Sequence, residues 1–128
     1  MLSAKVVLPA TFRDNSTAEN GNNTGHIPYG GLLAIPASID IKKLNLSEPG
    51  LRLARAIQNY GIYVANGGGC TAGALDADQY VSVTIKKQLV KDIEKFYPLI
   101  RLVLNNDVLG SQTAGGGNPR GANCAFDS

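Results

Sequence analysis

Residues 47–66, SEPGLRLARAIQNYGIYVAN, decide how this chain folds. Ser47 is a natural helix N-cap, because its hydroxyl can accept a bond from an orphan backbone N–H of the first turn. Glu48 then sits at the positive end of the helix dipole, and Pro49 lies where a missing N–H does no harm. Leu53, Ala54, Ile57 and Tyr60 recur at helical spacing and predict one apolar face, with Arg52, Arg55 and Asn59 on the other. Gly61 stands where a left-handed residue closes a helix. Ile62, Tyr63 and Val64 change both period and propensity to strand. The stretch therefore predicts a helix, a tight stop and a strand.

Upstream, residues 5–9 (KVVLP) predict a short first strand, and 26–36 (HIPYGGLLAIP) a turn followed by a strand. Pro36 ends that strand or puts it at a sheet edge. Residues 11–25 have almost no apolar content and predict an exposed arm. Downstream, 66–78 (NGGGCTAGALDAD) predict a loop. Residues 80–84 (YVSVT) alternate like a strand but could also open the next helix. In that helix Ile85, Leu89, Ile93, Phe96 and Tyr97 form an apolar stripe. Lys87, Lys91, Asp92, Glu94 and Lys95 are expected on its wet sides. Pro98 ends it, and Leu99–Leu104 predict a last strand. The expected fold class is α+β: two helices, near 47–60 and 84–97, on a small mixed sheet with long Gly/Asn-rich loops. One domain is expected, with an N-terminal strand and exposed arm over 1–25, an α+β core over 26–109 and a Gly-rich extended tail over 110–128.

A length of 128 residues suits one core. Only 17% of the residues are charged, so Gly, Asn, Ser and Thr must supply much of the surface. A net charge of +2 is too small to argue for nucleic acid, and no basic stripe interleaved with aromatics occurs. No stretch approaches the roughly 20 apolar residues of a membrane span. The N-terminus lacks the long apolar segment of an export signal, which fits use without that route, a mature product or a fragment. Cys70 and Cys124 both lie among glycines. A disulfide between them, two free thiols and bonds to neighbouring chains are all open. Two cysteines are too few for a zinc site.

Catalytic constellations are sparse. His26 is the only histidine and lies in a Gly/Asn/Pro-flanked loop. With no nucleophile elbow and no second histidine, it reads as an exposed loop residue or a weak ligand contact. A hydrolase built on His26 with Asp14 or Asp40 is the remote reading. Asp76 and Asp78 pair locally, but a calcium loop needs more oxygen ligands at fixed spacing, so a solvated turn is favoured. Gly67–Gly69 and Gly115–Gly117 lack the Lys-Ser/Thr of a phosphate loop. Tyr60 and Tyr63 are expected to flank the core with wet hydroxyls, with Tyr63 a further candidate for stacking on a sugar ring. Tyr29, in a turn, is the better candidate for a ligand contact. No catalytic residue, metal or cofactor is expected.

Three stretches read together carry a resemblance: NTGHIPYGGLLAIPASID at 23–40, ARAIQNYGIYV at 54–64, and L-x-x-V-L-N-N-D followed by GGGNPR within 99–120. Their order and spacing resemble a module of phage tail-fibre or tail-spike-like proteins and of secreted, polysaccharide-associated bacterial proteins. The chain departs from that pattern after Tyr63, where 66–70 (NGGGC) replaces an acidic or aromatic strand. The motifs are structural and carry over no active-site residue. The resemblance implies a non-catalytic virion-surface part of fibre, spike or decoration type. Its partners would be other virion or fibre subunits, with homo-oligomers and bacterial surface glycan also implied. The alternative it implies is an accessory carbohydrate-binding domain of a secreted protein.

Overall fold

The computed structural model describes residues 2–12, 26–65 and 78–104. In chain order they form β1 (Leu2–Val6), β2 (Ile27–Tyr29), β3 (Leu32–Ala34) and a 3-10 turn at Ile41–Leu44. Then come α1 (Glu48–Tyr60), β4 (Ile62–Tyr63), α2 (Val83–Phe96), a second 3-10 turn at Tyr97–Leu99 and β5 (Arg101–Leu102). This is the small mixed α+β fold expected from the sequence. The arm at 13–25, the loop at 66–77 and the tail at 110–128 lie outside the described residues.

The opening of α1 follows its sequence signals. The Ser47 hydroxyl accepts from the Gly50 N–H at 3.3 Å, and Pro49 occupies the first turn. Arg52 Nε donates to Glu48 Oε1 at 2.9 Å one turn apart; both are exposed, so the pair adds little. At the other end the Gly61 N–H donates to the Ile57 carbonyl at 2.9 Å. Gly61 has φ +74° and ψ −177°. The positive φ is as expected, but the extended ψ sends the chain straight into β4 and does not curl it into a left-handed cap. A Cβ there would lie 2.6 Å from Leu32 Cδ1 and 2.8 Å from the Leu33 carbonyl.

Two expectations about helix faces are corrected. Tyr60 is 76% exposed and does not belong to the buried face of α1. That face runs through Gly50, Ala54, Ile57 and Gln58, and Tyr60 stands about 120° round the helix from Ala54. Gln58 takes the inner place because its Nε2 donates to the Pro36 and Ile39 carbonyls, each at 2.9 Å. On α2, Asp92 is not on the wet side; it is 3% exposed. The Ser82 hydroxyl accepts from the Ile85 N–H at 3.3 Å, so 80–84 opens the helix and is not a strand.

Ile35, Ile41, Ala54, Ile57 and Phe96 make the main core cluster, with Leu51, Leu53, Ile93 and Ile100 packed round it. Both helices reach it, since α1 packs on α2 and on β3. The strands fall into two small sheets, a parallel pair β1–β2 and an antiparallel triplet in the order β4–β3–β5. The first strand lies earlier than the expected 5–9. The Val7 N–H donates to the Tyr29 carbonyl at 2.8 Å and the chain then turns, the Ala10 N–H returning to the Val7 carbonyl at 3.0 Å. Pro9 has no N–H to extend a ladder. The last strand is shorter than the expected 99–104, because the 3-10 turn built on Pro98 takes in Leu99.

Gly30 joins the two sheets. Its φ of +82° makes the turn after β2, and its N–H donates to the Val64 carbonyl at 2.8 Å. The Val64 N–H returns to the Gly31 carbonyl at 3.0 Å. A side chain at Gly30 would run into the Val7 carbonyl.

Candidate functional site

Paired residues of a sheet share a face, so the triplet has two distinct sides. Leu32, Ala34 and Val103 are buried together on one side, and Tyr63, opposite Leu32, stands at the edge of that side. Leu33 pairs with Ile62 on one flank and with Leu102 on the other. Ile62, Leu33 and Leu102 therefore form an apolar row across the opposite side. Ile62 is 38% exposed, and Leu33 and Leu102 are partly open to solvent. Tyr60 and Tyr63, the latter 42% exposed, bracket Ile62 at the β4 edge. The apolar row can cover a protein surface, and the exposed phenol rings at the β4 edge can stack on a flat ring.

The expected contact residues divide. Tyr63 is exposed on this edge. His26 is exposed at the start of β2 and makes no hydrogen bond or ion pair within the described residues. Tyr29 is corrected: it is fully buried, so its ring belongs to the interior and presents nothing to a ligand. The turn lies one residue later, at Gly30, and the strand before it draws Tyr29 inward. Asp40 Oδ1 accepts from the Lys42 N–H at 3.1 Å as the cap of the first 3-10 turn. Asp78 Oδ1 accepts from the Tyr80 N–H at 2.8 Å, which makes it a turn residue. Asp14, Asp76, Cys70 and Cys124 lie outside the described residues. Among the described residues no three His, Cys, Asp or Glu side chains are grouped to hold a metal, and no helix is long and apolar enough to cross a membrane.

Beneath this surface lies a buried carboxylate that the helix-face pattern missed. Asp92 Oδ2 accepts from both the N–H of Ser47, at 3.1 Å, and the Ser47 hydroxyl. Lys95 Nζ reaches Asp92 Oδ1 at 3.3 Å and also donates to the Asn45 carbonyl. Asp92 thus holds the N-cap of α1 from α2. Burial pushes its carboxyl up. The bonds from the Ser47 hydroxyl, the Lys95 ammonium and the Ser47 N–H, with the Lys95 charge, outweigh that and hold it below its ordinary value of 3.8. The two bonds from Ser47 fasten α2 to the start of α1 and the Lys95 contact within α2 balances the charge, which makes this carboxylate a structural anchor. One sequence signal could have found it: Gly50 inside a helix, where only a closely approaching neighbour excuses the missing side chain.

No known protein family, curated protein or solved structure matches the chain.

Proposed function

We propose that this chain is a non-catalytic phage virion-surface module, of fibre, spike or decoration type, that docks on neighbouring subunits or on a bacterial envelope. The observation that carries the reading is the apolar row Ile62–Leu33–Leu102 across the β4–β3–β5 sheet, exposed at Ile62 and half-buried at Leu33 and Leu102. Such a row gains by being covered, at roughly 25 cal/mol per Å² of apolar surface removed from water. The resemblance noted above supports the same reading. Its three stretches meet in space: Gln58 holds Pro36, Gly61 lies against Leu32, and the Val103 N–H donates to the Leu32 carbonyl. These described residues of the three stretches help hold the fold, as suits a structural module.

A second reading, an accessory carbohydrate-binding domain of a secreted protein, is favoured by the exposed rings of Tyr60 and Tyr63. Light scattering with and without reductant separates the two. A closed assembly larger than a dimer, reduced in size by Ile62→Asp, supports the virion module. A chain that shows no such assembly and binds oligosaccharide, with binding lost in Tyr63→Ala, supports the second reading and overturns the first.

A further inference from the structure

Val83, Val90 and Tyr97 recur every seven residues along α2 and the turn that continues it. They are 66%, 58% and 40% exposed. Seven residues are nearly two helical turns, so the three side chains lie on one line. Lys86 and Ile93 fall between them and are partly buried. The apolar arc of α2 is therefore wider than one neighbour can cover. Its inner part, with Phe96, packs with Ala54 and Ile57 of α1. Its outer part stays open to solvent in the described structure.

The charges beside this stripe indicate what covers it. Lys87 and Glu94 flank it on the same side, three residues before Val90 and four after it. Neither has an ion-pair or hydrogen-bond partner among the described residues. A two-fold axis through Val90 turns a residue one turn before the crossing towards a residue one turn after it. Lys87 of one copy then lies beside Glu94 of the partner subunit, and the same pair forms again by symmetry. Val90 meets its own equivalent, and Val83 faces Tyr97. In a parallel pair the two-fold axis runs along the seam and puts Lys87 and Glu94 of the two copies on opposite sides of it, where they cannot pair. The flanking charges thus select the antiparallel arrangement, as charges beside an apolar seam do between paired helices.

We infer that the outer face of α2 is a self-recognition surface on which a second copy of this chain packs antiparallel, two-fold about Val90. The inference does not rest on the sheet-face reading, because it uses none of the same residues.

The test is a concentration series of the full chain by light scattering, in low salt. The expected result is a mass that rises from monomer to dimer, or a larger assembly containing that dimer as a step. Val90→Glu, and independently Val83→Lys, should abolish the step while circular dichroism stays unchanged; both sites are exposed, so the fold survives. Lys87→Glu and Glu94→Lys should each weaken the dimer about tenfold, and the double variant should restore it, the sign of a direct pair. A wild-type chain that stays monomeric throughout the series overturns the inference. So does a dimer indifferent to Val90→Glu, or a double variant no tighter than the singles. Failure here is distinct from failure of the sheet-face reading, which is read by Ile62→Asp.

Discussion

Asp92 is where one residue does most for this molecule. Its carboxylate is buried yet ionised, because two donors on Ser47 and the Lys95 ammonium replace the water it lost. Asp92→Asn keeps the shape but removes the charge and part of the accepting capacity. It should destabilise the fold by about 1.5–3 kcal/mol, the range for hydrogen bonds to a charged group, as measured by urea unfolding at neutral pH. The same group makes stability depend on acid. In the folded chain its carboxyl titrates below 3.8, so as pH falls the unfolded chain takes up the proton first. The stability it contributes is whole at neutral pH, starts to fade as pH falls towards 3.8, and is gone once pH has passed below the folded value. Melting temperature followed from pH 6 downward should show a shallower acid decline in Asp92→Asn than in the parent; parallel curves would refute this account.

At the scale of elements, α1 shows local propensity and tertiary packing pulling in opposite directions. Replacing a helical glycine by alanine ordinarily stabilises by about 1 kcal/mol. At Gly50 the new Cβ would overlap the Asp92 carboxylate, with Cγ at 2.6 Å and Cβ at 2.7 Å. Gly50→Ala should therefore destabilise, by about 1–3 kcal/mol as for other overpacked sites. A melting temperature above that of the parent would show that α2 yields easily there. The end of α1 makes a second case. Gln58→Leu matches the apolar surroundings better, yet it takes the Gln58 donor from the Ile39 carbonyl and leaves the Pro36 carbonyl only the Ile39 N–H. The two lost bonds outweigh the gain, so a loss of about 1–3 kcal/mol is expected in denaturant titration. Gly61→Ala meets both a positive φ and the Leu32 side chain, and it should lower the melting temperature in the same scan.

For the whole molecule, the described core is small, the outer stripe of α2 stays exposed and the Ile62–Leu33–Leu102 row is half covered. Small domains commonly close such surfaces against neighbours and become more stable with concentration. The melting temperature of the parent should accordingly rise with protein concentration, while that of Val90→Glu stays flatter. Tyr63→Ala removes a half-exposed ring at an edge and should shift unfolding stability by less than about 0.5 kcal/mol. Any larger change it causes in assembly or glycan binding is then a property of the surface and not of folding.

The sequence by itself determined the local units. Ser47, Glu48 and Pro49 open α1, Gly61 stops it and Pro98 closes α2, because capping and chain stiffness act over a few residues. Strand pairing, the inward turn of Tyr29, the outward turn of Tyr60 and the burial of Asp92 and Gln58 were decided only in the tertiary structure. Each depends on a partner far along the chain: Tyr29 on Val7, Gln58 on Pro36, Asp92 on Ser47. Periodicity reports which side of a helix is apolar. It cannot report that a polar side chain will be drawn inside by donors or carbonyls some 20 to 45 positions away, because that exchange of water for protein partners exists only once the elements have met.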